Sequence, residues 1–188
     1  MIRMSKPLNF YLKTYNVMKK SMLTMALALL AAFMMKAQDS QMRVPFGTIW
    51  GAPQLEQLKA AVEADASAKF YLIDGFTIAP DEPGNIVVDT EKKIMRMAMT
   101  VSFTAEEDGN AILKMKVKIP KGKRVLVYCG KKRVKDSKML DNTSGDKSMM
   151  GTYEIHIPGV KAGDIIKIES ASTGYACFYS FAWNVDNQ

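Results

Sequence analysis

His156 is the only histidine in the chain, so any imidazole chemistry has to run through one ring. A lone histidine excludes a multi-histidine metal centre, and a Ser-His-Asp triad would depend entirely on it. His156 and Glu154 alternate with Tyr153, Ile155 and Ile157, a spacing that turns His156 outward on an extended strand. A surface histidine is therefore expected. The adjacent carboxylates Glu106-Glu107 and Asp81-Glu82 fall in turns, whereas glycoside hydrolysis needs two carboxyls facing each other across a cleft. No catalytic residue, metal site or cofactor is assigned.

The cysteines are Cys129 and Cys177. By alternation Cys129 shares a face with Val125 and Val127, and Cys177 with Tyr175 and Tyr179. They form either a disulfide, which on a loop-entropy model closes about 48 residues and contributes about 4 kcal/mol, or two buried thiols that pack as small hydrophobes.

Charge is distributed unevenly. Between Lys114 and Lys138 there are eleven basic residues and one acid, Asp136, whereas Glu56 to Asp108 holds eleven acids against five bases. Two arrangements fit this bipolarity. Either the halves neutralise each other across neighbouring strands, or Lys114, Lys116, Lys118, Lys131, Lys132 and Arg133 form one cationic face suited to an anionic polymer, whose binding would then be salt-sensitive. Rings able to stack on a sugar are Trp50, Tyr128, Tyr153, Tyr175 and Trp183, since the apolar face of a pyranose buries well against an aromatic. Tyr175, beside Gly174 at a loop exit, and Trp50, beside Gly51 at a strand end, are the two expected to contact ligand.

The net charge of +7 over 188 residues is a property of the N-terminus. From Met1 to Ala37 there is no acid, Lys19 and Lys20 precede the apolar run Met22 to Met35, and Ala37 is followed by polar residues. This pattern predicts a secretory signal peptide over residues 1–37, its apolar run too short to span a bilayer; residues 1–17 are either a long charged region or misread upstream sequence. Removing it takes six of 26 basic and none of 19 acidic residues, leaving 20 against 19. Global basicity then no longer suggests nucleic acid, no stable membrane insertion is expected after cleavage, and oligomeric state is left open.

Residues 38–188 have the size of one domain. A short amphipathic helix is predicted over Pro53–Ala66, with Leu55, Leu58 and Val62 at helical spacing and Pro53 in the first turn. Strands are predicted at 46–50, 69–78, 86–88, 94–105, 111–120, 124–129, 153–157, 165–170 and 172–185, with a long polar loop over 130–151. In the last, Tyr175, Cys177, Tyr179, Phe181, Trp183 and Val185 recur at every second position, predicting a central strand. Eight or nine short strands with one N-terminal helix predict an all-β antiparallel sandwich of jelly-roll type, with a small barrel as the alternative.

The stretches MTVSFTAEEDGNAILKMKVKIPKGKRVLVYCGK and GTYEIHIPGVKAGDIIKIESASTGYACFYSFAW together resemble, over about residues 95–185, the second half of jelly-roll carbohydrate-binding modules attached to secreted polysaccharide-degrading enzymes of Gram-negative bacteria. The resemblance implies a secreted or periplasmic, non-catalytic domain that binds carbohydrate or a surface polymer through a ring in the rim loops and an amide near the last strand. Here Tyr175, Ala176 and Cys177 follow Gly174, and none is an amide. The alternatives are a structural or protein-interaction domain of the cell envelope and, less favoured, a uronate-acting lyase or hydrolase using Lys or Tyr bases.

Overall fold

The computed structural model describes residues 42–97, 99–171 and 176–187. Residues 1–37, where the sequence predicts a signal peptide, and Tyr175 lie outside them. The described chain contains β1 (Thr48–Trp50), α1 (Ala52–Ala64), β2 (Tyr71–Ile73), β3 (Phe76–Pro80), β4 (Ile86–Asp89), β5 (Ile94–Met97), β6 (Met99–Thr104), β7 (Gly109–Ile119), β8 (Arg124–Cys129), β9 (Lys132–Arg133), a 3-10 helix (Lys135–Leu140), β10 (Met149–Val160), β11 (Ile165–Ala171) and β12 (Ala176–Val185). Sheet I runs β10-β7-β12-β5-β4, with β1 also on β12; sheet II runs β2-β3-β6-β11-β8-β9. The strand pairings within both sheets are antiparallel. The fold is a β-sandwich, as the strand count predicted.

Three differences from the alternation pattern have local causes. The run 69–78 is a hairpin, because Asp74 and Gly75 take φ values of 47° and 83°, the left-handed pair of a type I′ turn. A Cβ at Gly75 would also lie 2.9 Å from the Met42 carbonyl oxygen, so glycine is required twice over. The run 94–105 leaves sheet I as β5 and continues in sheet II as β6. The polar stretch 130–151 contains β9 and the 3-10 helix.

A fourth difference changes which side chains face inward. In β12 the register against β7 slips between Phe178 and Ser180, a β-bulge that inserts Tyr179 and reverses the alternation. Phe178, Phe181 and Trp183 are all buried, while Cys177 is on the opposite face from Ala176 and Phe178, and Val185 is exposed. Strict alternation had put Cys177, Tyr179 and Val185 in the core with Phe181 and Trp183.

The core between the sheets is a chain of rings. Phe46 stacks on Trp183 at 5.3 Å, Trp183 meets Phe103 edge-on at 5.1 Å, and Phe103 lies 5.1 Å from Phe76. Phe76 meets Trp50 edge-on at 5.4 Å, and Trp50 reaches Phe181 at 6.3 Å. Rings of β1 and β12 thus interlock with rings of β3 and β6, a geometry that adds to simple area burial. Helix α1 buries Leu55 and Leu58 and contacts β2 and β4, the edge strands of the two sheets on one side. Gln54 Nε2 and Gln57 Nε2 tie it to Asp74 Oδ2 at 3.0 and 3.3 Å.

Near the other side a buried amide fixes a loop. Asn142 Nδ2 donates to the carbonyls of Ile119, Pro120 and Lys147 at 3.1, 3.0 and 2.9 Å, and a Cβ on Gly145 would collide with Asn142 Oδ1. Asn142→Ala leaves these carbonyls without that donor, so a loss of about 1–3 kcal/mol is expected. In urea titrations it should appear as a lowered midpoint at unchanged slope.

Candidate functional site

Opposite the helix, β9 is an edge of sheet II and β10 an edge of sheet I. Their exposed hydrogen-bonding edges need protection. On β9 this is provided by Lys132 and Arg133; on β10, Asp136 Oδ2 accepts the backbone N–H of His156 at 3.3 Å. Between the two edges is a half-open cleft of about 650 Å³. Val134, Ile157, Pro158 and the Cys129 thiol give it an apolar lining, and Lys131, Lys132, Arg133 and Lys135 supply positive charge against Asp136 and Asp164.

Arg133 is held in place. Its Nε donates to Ser137 Oγ at 3.1 Å, and Ser137 Oγ, fully buried, donates to the Val134 carbonyl at 2.7 Å. Lys131 and Lys132 form no ion pair among the described residues. Burial, then the charge and hydrogen bond of Asp164 at 3.6 Å, push the Cys129 thiol up to about 11. It is a neutral lining atom at pH 7, since thiolate chemistry requires a lowered value.

A second, shallower depression of about 550 Å³ adjoins the cleft, and Asp136 and His156 line both. Its other lining residues are Lys114, Met139, Thr152, Tyr153 and Glu154. Lys114 Nζ pairs with Glu154 at 2.7 Å. His156 Nδ1 is 2.7 Å from Asp186 Oδ2, which assigns the Nδ1 hydrogen to that bond and leaves Nε2 as the ring nitrogen that gains a proton. The hydrogen bond to Asp186 raises the His156 pKa above its ordinary 6.5, and the charges of Asp186, Asp136 and Glu154 act in the same direction against desolvation. Stabilisation from the charged pair is fully present below about pH 6.5 and is lost as pH rises through the raised folded value. An NMR titration of His156 is expected to show a midpoint above 6.5, moving down in Asp186→Asn.

The residues expected from sequence to bind ligand are therefore divided. Lys131, Lys132 and Arg133 meet in the cleft. Lys114, Lys116 and Lys118 alternate outward on β7 as expected, but on the outer face of sheet I, where only Lys114 reaches a depression. Lys116 Nζ is 5.3 Å from the Tyr179 ring centroid, and Lys118 is the cross-strand neighbour of Cys177. The single cationic face is thus not formed.

Trp50 is 1% exposed and is a core residue, not a rim platform, because its strand pairs with β12 and turns it onto Phe76 and Phe181. Trp183 is likewise buried. Tyr128 lies under Lys167, whose Nζ is 4.6 Å from the ring. Of the expected rings, Tyr153 lines a depression. Cys129 and Cys177 are both free, in strands of different sheets, and the bulge at Tyr179 turns Cys177 to the outer face while Cys129 packs against the core. Of the two alternatives, the structure has the free thiols, both only partly buried.

Sequence reading missed Asp136, Ser137, Asp164 and Asp186 as site residues. Among the described residues no group of three or more His, Cys, Asp or Glu is placed to hold a metal ion, and no helix is long and apolar enough to cross a membrane.

No protein-family model matches the sequence, and no curated protein matches it. The solved structures to which the chain is similar include carbohydrate-binding modules. CBM35 from Paenibacillus barcinonensis is 14% identical, with 74% of this chain and 100% of that chain covered and a TM-score of 0.38. The structure described as BiXyn10A CBM1 APO is 13% identical over 65% of this chain and 95% of that one, at a TM-score of 0.39. The C-terminal CBM6 of LamC, a marine laminarinase from Zobellia galactanivorans, is 11% identical over 64% and 96%, at 0.31.

Proposed function

We propose that the domain is a secreted or periplasmic non-catalytic module that binds an anionic carbohydrate in the cleft between β9 and β10. The observation that carries this reading is the composition of the cleft. An apolar lining can take the face of a sugar ring while Lys131, Lys132 and the anchored guanidinium of Arg133 approach its carboxylate, and bidentate Arg–carboxylate bonding fixes orientation as well as energy. The excess of positive charge is local to the cleft, so it survives removal of the basic N-terminus. Export rests on the leader-like residues 1–37.

The test is calorimetry of residues 38–188 with galacturonate and glucuronate oligosaccharides and with neutral xylo- and gluco-oligosaccharides, at about 50 and 300 mM salt. Binding of the acidic probes that weakens at the higher salt is expected. Equal binding of neutral probes would remove the anionic assignment, and silence with every probe would remove the sugar. A second reading, a protein-contact domain of the envelope, is favoured by Phe70 and Leu72, 54% and 61% exposed beside and within edge strand β2. A stable oligomer in light scattering, together with no glycan binding, would select it.

A further inference from the structure

Resting on that reading, we infer that the shallower depression along β10 is a second sugar subsite that takes a neutral unit, so that the preferred ligand is a chain in which an acidic residue is followed by an uncharged one.

The two depressions share Asp136 and His156, so a ligand in the first extends into the second without leaving the protein surface. Their charge balance is opposite. In the first, four Lys and Arg side chains face two carboxylates. In the second, Asp136 and Glu154 face Lys114 alone, and Lys114 is already paired with Glu154 at 2.7 Å. With His156 neutral, a ligand carboxylate entering there meets the carboxylates of Asp136 and Glu154 with Lys114 already engaged, which disfavours it, whereas sugar hydroxyls can donate to the same oxygens. The apolar contact comes from Met139, 42% exposed on the 3-10 helix, and from the Tyr153 ring. Its Cε2, Cζ and Oη lie 3.4 Å from where a Cβ of Gly151 would be, so the absence of a side chain at 151 leaves room for this edge of the ring.

The charges around His156 come from each neighbouring element: Asp136 on the 3-10 helix, Glu154 on β10, Lys114 on β7 and Asp186 after β12. Protonation of His156 reduces the negative balance of the second subsite, so discrimination against a second acid is expected to be strongest at about pH 8 and weaker at about pH 5.5.

The experiment is calorimetry at pH 8 with glucuronate, with a tetrasaccharide of alternating glucuronate and N-acetylglucosamine, and with a galacturonate tetramer. The alternating tetramer is expected to bind at least about tenfold tighter than the monosaccharide, roughly one additional well-formed contact set, and tighter than the all-acid tetramer. Met139→Asp, at an exposed position, is expected to remove most of that gain while glucuronate affinity changes less than about twofold. Equal affinity of monosaccharide and alternating tetramer, an all-acid tetramer that binds as tightly as the alternating one, or a gain that persists in Met139→Asp overturns the second subsite and leaves the first intact. If no acidic probe of any length binds, the carbohydrate reading itself fails and the inference with it.

Discussion

Trp50→Ala is expected to lower the stability of the domain by about 3–5 kcal/mol, the range for removing a buried aromatic from a packed core. Trp50 is 1% exposed and joins the two sheets through Phe76 at 5.4 Å and Phe181 at 6.3 Å. Removing it interrupts the row of rings that runs from Phe46 to Phe181 and leaves a cavity between the sheets. For a domain of this size the loss corresponds to roughly 10 °C in melting temperature, a large part of the 5–15 kcal/mol that a typical domain possesses. Calorimetric melting checks the magnitude. At a temperature where the variant remains folded, affinity for an acidic oligosaccharide should match the parent, since Trp50 lines neither depression. A variant with unchanged melting and lost binding would restore Trp50 as a ligand platform.

Sequence alternation read some elements correctly, and the reason is visible in β7. It is central in sheet I, regular over Gly109–Ile119, and flanked on both sides by paired strands, so Leu113, Met115, Val117 and Ile119 are fully buried and the lysines between them face out. The same rule failed in β12, where one extra residue at Tyr179 reverses the faces. Nothing in the composition of 176–185 announces a bulge, and the reversal carried over to Cys177, since both alternatives for the cysteines, a disulfide or two buried thiols, placed its side chain inward. The hairpin at Asp74-Gly75 was missed for a different reason: strand composition is continuous over 69–78 and reads as one strand, although an Asp-Gly step between apolar runs is itself a turn signal.

The cleft was only partly legible for a geometric reason. Its basic residues are consecutive, and their cluster stood out. The rest come from three separated segments: Asp136 and Ser137 from a stretch that looked like loop, His156 to Gly159 from the edge of the other sheet, and Asp164 from a turn, with Asp186 added after the final strand. These meet only when β9 and β10 close the same side of the sandwich, a pairing of edges that no local pattern encodes. Asp186 illustrates the point. Thirty residues from His156 in sequence, it is 2.7 Å away in space because β12 and β10 both flank β7.

Arg133→Glu is expected to reduce affinity for an acidic oligosaccharide by about 10- to 100-fold. A hydrogen bond to a charged group contributes about 1.5–3 kcal/mol, and each 1.4 kcal/mol is about tenfold. Arg133 should lie at the upper end, because the Ser137 hydroxyl already restrains its guanidinium and little side-chain entropy remains to be lost on binding. The substituted glutamate also joins Asp136 and Asp164, changing a cleft with four basic and two acidic side chains into one with three of each, which removes its preference for anions altogether. Lys116→Glu makes the same change in net charge on the outer face of sheet I, outside both depressions, and is expected to alter affinity less than about twofold at physiological salt, where the screening length is about 8 Å. The comparison separates a site from a diffuse field. If both reversals weaken binding equally, the interaction is with the overall charge of the domain and the cleft loses its special role. If only Arg133→Glu does so, the effect depends on where the charge sits, and the apolar lining beside it becomes the determinant of which acid is bound.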